Sequence, residues 1–326
     1  MSLDARILKA LREAGDGSVS GAELSQRLGV SRAAVWARIE ELRSLGYEIE
    51  ASPHLGYRFL SAPDVLHADD LLSRLDDARV IGRDIRVFES TTSTNDVIEK
   101  LAHDGVKEGV VVLAESQTRG RGRLGRQWMS PAGKGLWFSV LLRPDLPPQA
   151  TTQLTVASAT ALRRALAAET GLRPEIKWPN DILLSGKKVC GILTELSAEV
   201  DRVKYVILGI GVDVNLNTAD FPAELRDSAT SLKAELGKAL SRAELAVEIL
   251  RQLDADYAKI IAGEFAAIAD EWEEHCTTIG RQVTIRAGDR EVRGRAESLG
   301  EDGALLVRTE HGHLERVVGG DVTLAK

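Results

Sequence analysis

The amino-acid sequence predicts an α+β chain in three parts, and three observations predict it. Residues 1–62 carry helical patterns followed by a pair of alternating runs. Residues 64–275 alternate strand-like runs with two long amphipathic helices, and residues 280–326 hold short strands with no helical period. In the first part Ile7, Leu8 and Leu11 recur at helical spacing until the Gly15–Gly17 turn. GAELSQRL, residues 21–28, makes a second short helix that ends at Gly29. Ser31 is placed to N-cap a third, SRAAVWARIEELRSL, which stops at Gly46. YEIEA and GYRFL, joined by SPHLG, read as a β-hairpin. Helix, turn, helix and hairpin is the order of a winged helix-turn-helix, in which the helix after the turn enters the major groove. Ser31, Arg32, Trp36 and Arg38 on that helix are the candidate DNA contacts.

Charge tempers the DNA reading. Residues 1–60 hold eight basic side chains (Arg6, Lys9, Arg12, Arg27, Arg32, Arg38, Arg43, Arg58) and eight acidic ones (Asp4, Glu13, Asp16, Glu23, Glu40, Glu41, Glu48, Glu50). A neutral domain binds DNA weakly unless the acids face away or two copies bind together. A winged helix that docks protein is the alternative.

In the second part VVVLAES, GLWFSVLLR, IKWPNDILL, KKVCGILTEL and VKYVILGIGVDVN are strand-like. TTQLTVASATALRRALAAETG and SRAELAVEILRQLDADYAKI are amphipathic helices. Short turns between strands, such as Ser185-Gly186, favour antiparallel pairs in a mixed sheet over a doubly wound parallel fold. In the third part RQVTIRA, EVRGRAESL, GALLVRTE and ERVVGGDVTL are strands of a small β-barrel. The 326 residues are 44% hydrophobic and 28% charged, as in ordinary globular chains. No apolar stretch approaches the roughly 20 residues that span a bilayer, and the charged, amphipathic N-terminus is no secretory signal. Cys190 and Cys276, far apart, make neither a disulfide framework nor a metal cluster. A cytoplasmic location is expected. The net charge of −7 gives no general affinity for nucleic acid or anionic membrane.

The densest chemical signal is QTRGRGRLGRQW, from Gln117 to Trp128. Gly120, Gly122 and Gly125 satisfy the GxGxxG spacing of a dinucleotide site, but a strand rather than a helix follows them. Arg119, Arg121, Arg123 and Arg126 instead mark a cationic loop that wraps phosphate or carboxylate. Such a loop repels itself, so it is expected to order around a charged ligand. The second signal is KWPND, Lys177 to Asp181, followed by KKVCGIL, Lys187 to Leu193. It offers cations for phosphate and a carboxylate for metal at a strand end. The third, STTSTND from Ser90 to Asp96, offers hydroxyls and an amide ahead of a helix; an N-cap box accounts for it equally well.

Together these motifs resemble the biotin–protein ligases, specifically the bifunctional ligase–repressors, over nearly the whole chain. GRGRxGR, KWPND, K-x-x-GIL, the STN triplet, GIGVDVN, the N-terminal GVSRAAV and the GG-containing C-terminal strands carry the likeness. The resemblance implies a class II synthetase-like central domain and an SH3-like C-terminal barrel. It implies that biotin attacks the α-phosphate of Mg-ATP to give biotinyl-5′-AMP, and that a lysine of a biotin carboxyl carrier domain then takes the biotinyl group. Mg²⁺ with ATP is the implied cofactor and biotin the substrate. A homodimer on palindromic operator DNA of biotin synthesis genes is implied for the repressor.

By motif position, Ser93, Thr94, Asn95, Gln117, Gly120, Arg121, Lys188 and Gly191 resemble the biotin-binding set. Arg121, Arg123, Lys177, Asp181 and Lys188 resemble the catalytic set, and whether Asp181 holds Mg²⁺ stays open. Arg123, Trp128, Asp213 and Asn215 resemble the adenylate-binding set. Two positions depart from the family. Asp213 stands where Asn usually pairs with adenine, and an aspartate cannot donate to a ring nitrogen unless protonated. A weaker or re-paired adenine contact is expected, with Asn215 helping. Leu124 occupies a loop position that is often basic. A sensor without ligase activity and a lipoate ligase are the alternative functions.

Overall fold

The computed structural model describes residues 1–75 and 80–324, which fall into two compact units. The first comprises Met1–Asp77 with Ser241–Ala243, the second Ala78–Leu240 with Glu244–Lys326.

The first unit begins with helices α1 (Leu3–Glu13), α2 (Gly21–Leu28) and α3 (Arg32–Ser44). Serines start all three: Ser2, Ser20 and Ser31 each accept a hydrogen bond from the backbone N–H three residues on. Gly29 ends α2 in the left-handed region, φ 69°, where a side chain would be strained. Strands β1 (Glu48–Ser52) and β2 (Gly56–Ser61) pair antiparallel as the wing. Ile7, Leu8, Leu11, Leu24, Val35, Ile39 and Leu42 pack as the core. A further helix, α4 (Ala68–Arg74), joins this unit through Asp70, whose buried carboxylate accepts from Arg12 and, at 2.9 Å, from Arg74. Residues 64–75, read from the sequence as the start of the central part, thus group with the helices of the first.

Replacing Asp70 removes the buried carboxylate that the largely buried Arg12 and Arg74 guanidiniums share, a change that costs about 3 kcal/mol. Asp70→Ala is expected to lower the unfolding free energy of this unit by that amount, read as a lower urea midpoint of its helical transition. An unchanged midpoint would show the cluster to be ornamental.

On α3, Ser31 serves as the N-cap, Arg32 is exposed, and Trp36 leaves 57% of its surface to solvent. Arg38 is ion-paired. Its Nε donates to Asp4 at 2.6 Å and a second nitrogen lies 2.8 Å from Glu41. The buried Asp4 carboxylate takes it as a counterion, while 37% of the side chain stays accessible.

The second unit is built on a seven-stranded sheet. Its elements are β3 (Asp84–Thr91), α5 (Thr94–His103), β4 (Val110–Gln117), β5 (Gly135–Leu142), α6 (Thr152–Thr170), β6 (Glu175–Lys177), β7 (Asp181–Leu184), β8 (Lys187–Ala198) and β9 (Val203–Asp213). Helices α7 (Leu232–Leu236), α8 (Arg242–Ile261) and α9 (Phe265–His275) follow. The strand order is β3-β4-β5-β9-β8-β7-β6. Only β3 and β4 are parallel, joined by the α5 crossover; the other pairs are antiparallel, as the short turns predict. Ser185 and Gly186 both take positive φ, 51° and 77°, as a two-residue hairpin of primed type requires. IKWPNDILL splits into β6 and β7 around a cis Trp178–Pro179 bond, instead of running as one strand. Strand β3 and helix α9 have no counterpart in the sequence reading.

The C-terminal part holds β10 (Gln282–Ala287), β11 (Arg290–Leu299), β12 (Leu305–Arg308), β13 (Leu314–Val317) and β14 (Asp321–Leu324). They form one antiparallel sheet in the order β13-β12-β11-β10-β14, and the run ERVVGGDVTL supplies two strands rather than one. Among the described residues no helix is long and apolar enough to cross a membrane.

Candidate active site

Glycines on two neighbouring strands create the floor of the site. Gly191 of β8 lies opposite Gly211 of β9, and Gly209 lies opposite Leu193. The bare backbone receives the indole of Trp128 from the arginine-rich loop. A Cβ on Gly211 would come within 2.6 Å of that ring, and one on Gly191 within 2.7 Å. Trp137 meets the indole edge-on at 6.4 Å, and the Lys188 ammonium stands 5.0 Å from its centroid. The Trp128 Nε1–H is buried without a partner among the described residues. Trp128, Lys188 and the three glycines line a cavity of about 450 Å³, with Trp137 packed behind the indole.

A polar network closes one end. Thr94 N–H donates to Gln117 Oε1 at 2.8 Å, and Gln117 Nε2 donates to Ser130 Oγ at 2.8 Å. Ser139 of β5 donates to Thr94 Oγ1 at 2.6 Å and also bonds Asn95 Oδ1. Asn95 Nδ2 reaches Glu195 Oε2 at 2.7 Å, and the same oxygen accepts from Arg121 at 2.9 Å. Gly209 makes room for Asn95, whose amide oxygen a Cβ would approach to 2.4 Å. Ser93, Thr94 and Asn95 are each 3% exposed, and the Ser93 side chain makes no capping bond to α5. The N-cap account of this triplet therefore fails: it lines the cavity instead.

The charges of the arginine loop are largely neutralised from within. Arg121 lies 3.1 Å from Asp96 as well as against Glu195, and Arg126 lies 2.6 Å from Asp321. Arg123 donates to Asn180 Oδ1 at 3.0 Å. Burial lowers the pKa of the Arg123 guanidinium, while Asp321 and Asp181 pull it back up. Backbone bonds from Gly122 N to Arg126 O (2.7 Å) and from Trp128 N to Gly120 O (2.9 Å) clasp the loop. Leu124 is 71% exposed at its tip.

At the far end, β6 and β7 hold Lys177 opposite Asp181, both lining the cavity. Lys188 Nζ approaches Asp181 Oδ1 to 2.6 Å, yet the contact is not aligned as a hydrogen bond. Among the described residues no three His, Cys, Asp or Glu side chains gather as a metal site. Asp181, the carboxylate considered for Mg²⁺, already faces Lys188, so the residues present do not form a resident metal cage. Asp213 is 6% exposed at the end of β9 and lines the cavity. Asn215 does not join it. Its side-chain amide donates to Leu240 O at 2.9 Å and accepts from Leu240 N at 3.0 Å, a reciprocal clasp that occupies both ends. The expectation that Asn215 helps Asp213 is corrected accordingly.

The structure thus brings Ser93, Thr94, Asn95, Gln117, Arg121, Arg123, Trp128, Lys177, Asp181, Lys188, Gly191 and Asp213 to one cavity. Sequence reasoning missed Ser139, Glu195 and Asn180. Ser139 is the lone hydroxyl in the apolar run GLWFSVLL, a signal that could have found it.

Known proteins match this arrangement along the whole chain. The pattern of an HTH domain matches residues 5–58, that of the Biotin/lipoate A/B protein ligase family residues 87–213, and that of the Biotin protein ligase C terminal domain residues 278–324. The Bifunctional ligase/repressor BirA of Bacillus spizizenii is 39% identical over 98% of this chain and 97% of its own. Its counterpart in Escherichia coli is 29% identical over 94% of this chain and 92% of its own. A solved biotin protein ligase from Aquifex aeolicus, in complex with biotin and ATP, superposes with a TM-score of 0.64 at 31% identity. It covers 75% of this chain and 99% of that one. With a helix-turn-helix, a glycine-floored cationic cavity and full-length likeness of this degree, the chain belongs to the bifunctional ligase/repressor family of biotin protein ligases.

Proposed function

We propose that the chain joins biotin and ATP into biotinyl-5′-AMP, passes the biotinyl group to a lysine of a carrier domain, and represses biotin synthesis genes as an adenylate-bound homodimer. The observation that carries the ligase reading is the convergence of Arg121, Arg123, Lys177 and Lys188 on one cavity floored by bare strand backbone. In the first step a biotin carboxylate oxygen attacks the α-phosphorus and the bond to pyrophosphate breaks. In the second a lysine amine attacks the acyl carbon, AMP departs with the bonding electrons, and the amine sheds a proton. Neither step calls for a nucleophile from the protein.

Both steps concentrate negative charge, and fixed cations in a partly desolvated site stabilise it. Arg121 is assigned to the biotin carboxylate, Arg123 and Lys188 to the reacting carboxylate and α-phosphate, and Lys177 to the phosphates beyond. Glu195, Asp96 and Asp181 act as placeholders that these ligand anions displace. Ser93, Thr94, Asn95, Gln117, Gly120 and Gly191 shape the biotin end, and Trp128 packs near adenine. Magnesium enters this reading as the ion carried by ATP. The carrier is a biotin carboxyl carrier domain of acetyl-CoA carboxylase, and the setting is cytoplasmic.

Transfer of labelled biotin to such a carrier domain, with lipoate run in parallel, tests the ligase. Biotin alone should transfer. Lipoate transferring in its place would move the chain to the lipoate branch, and no transfer with biotin still bound would leave a sensor. Repression rests on the first unit. Arg32 and Trp36 are exposed on α3, whereas most other arginines there are tied to acids. With few free cations, operator binding should depend only weakly on salt. Trp36→Ala is expected to weaken operator binding about tenfold, the order of one base contact, without changing label transfer. An unaltered gel shift would remove Trp36 from the interface.

A further inference from the structure

Asp213 holds a carboxyl inside the cavity, 6% exposed, to which no described residue donates a hydrogen bond. The groups around it leave it without a dedicated counterion. On β8, Lys188 is the facing cation, and its ammonium is 2.6 Å from Asp181 of β7. Cys190 is the other titratable neighbour on β8, its thiol kept neutral by burial. On β5 the residue opposite is Gly135, and Lys134 just before it turns to Asp220 at 3.6 Å. Trp128, Phe221, Leu225 and Ser228, from the loops that cover the cavity, carry no charge. A desolvated carboxylate in such surroundings is unfavourable, and proton uptake relieves it. Burial accordingly pushes the Asp213 carboxyl well above the usual carboxylate range, and Lys188 offsets only part of this.

We propose that Asp213 is a neutral carboxylic acid in the ligand-free protein and that it reads the nucleotide base in this form. Its hydroxyl donates to a ring nitrogen while its carbonyl oxygen accepts from the adjacent amino group. Adenine presents that acceptor–donor pair on an edge. The ionised form has no donor and would set lone pairs against the ring nitrogen. This inference rests on reading the cavity as the ATP site, and adds that base binding there requires a proton already on the protein. The linkage has a definite sign. The bound state keeps the proton, so affinity is full while the free protein's Asp213 is protonated and falls as pH rises through its titration, by up to roughly tenfold per unit.

The test uses the full chain with biotin present and α,β-methylene-ATP as the unreactive nucleotide. Infrared difference spectra between the ligand-free protein and Asp213→Asn should show the carbonyl band of a protonated carboxyl near neutral pH. Calorimetry from neutral to alkaline pH should show wild-type affinity falling while Asp213→Asn, which carries donor and acceptor at every pH, follows a flatter profile. Absence of the band, or parallel profiles in the two proteins, overturns the proposal. Should the variant fail to fold, wild-type affinity that stays level or rises with pH overturns it as well. If neither protein binds the nucleotide at any pH, the ATP-site reading fails and the base contact with it, while the infrared band still reports the protonation state of Asp213.

Discussion

Lys188→Ala is expected to lower the rate of biotinyl-adenylate formation by roughly 10²–10³-fold, the loss that follows removal of one fixed group aimed at developing charge. The case rests on how firmly this cation is held. Backbone bonds from Lys188 N to Ser228 O and from Thr230 N to Lys188 O, both 2.8 Å, fix its main chain from the side, while β7 holds it from the other. Its ammonium lies between the Trp128 face and the Asp181 carboxylate, in a cavity that also contains Arg121 and Arg123. Truncation leaves those backbone bonds intact, and Lys188 and Asp181 are both partly exposed, so the fold should tolerate the change. Pyrophosphate release in single turnover, with no carrier present, isolates the first step. A rate within a few-fold of wild type would take Lys188 out of the chemistry and leave Arg123 as the group at the phosphate. Lys188→Arg should restore part of the rate, since charge is kept but a planar fork replaces a compact ammonium.

The three-part fold was legible because each part carries its own periodicity and its own punctuation. Ser31 and Gly29 mark helix ends that the structure keeps, and Ser185-Gly186 marks a hairpin that positive φ angles bear out. Strand β3 was not legible. Its run DIRVFEST is polar and only partly buried at the sheet edge, so alternation is faint. Helix α9 escaped because FAAIADEWEEH is short and follows another helix after a brief turn. Within the site, spacing identified residues that reach the cavity but not the bonds they make there. Arg121 was readable as a cation; that Glu195, 74 residues away, holds it depends on how β8 and α5 meet across the sheet. The bonds of Arg38 and Asn215 were hidden in the same way. Each residue has the right chemistry for a ligand, and each is claimed by a partner, Asp4 or Leu240, that sequence spacing does not bring near.

Gly120→Ala is expected to weaken biotin binding about 100-fold, equivalent to about 2.7 kcal/mol, whereas Gly125→Ala in the same loop should change it only a few-fold. The contrast separates two uses of glycine. Gly125 has φ 74° with open space where a Cβ would go, so alanine there meets backbone strain alone, on the order of 1 kcal/mol. At Gly120 the φ is not in the left-handed region, and the obstacle is steric. A methyl would lie 2.3 Å from Trp128 O, 2.9 Å from Ser130 Oγ and 3.1 Å from Gln117 Nε2. The first of these is a backbone oxygen that cannot rotate aside. Relief requires residues 120 and 128 to part, which breaks the bond from Trp128 N to Gly120 O and lifts the indole from Gly191 and Gly211. It also disturbs the Gln117–Ser130 bond that orients the amide toward Thr94. Calorimetric titration of biotin into each variant decides the matter. Loss at Gly120 alone means that the loop binds as a packed wall whose backbone must touch itself. Equal losses at both positions would mean instead that the loop works by freedom to wrap its ligand, and that the clasp seen between Gly120 and Trp128 is dispensable to binding.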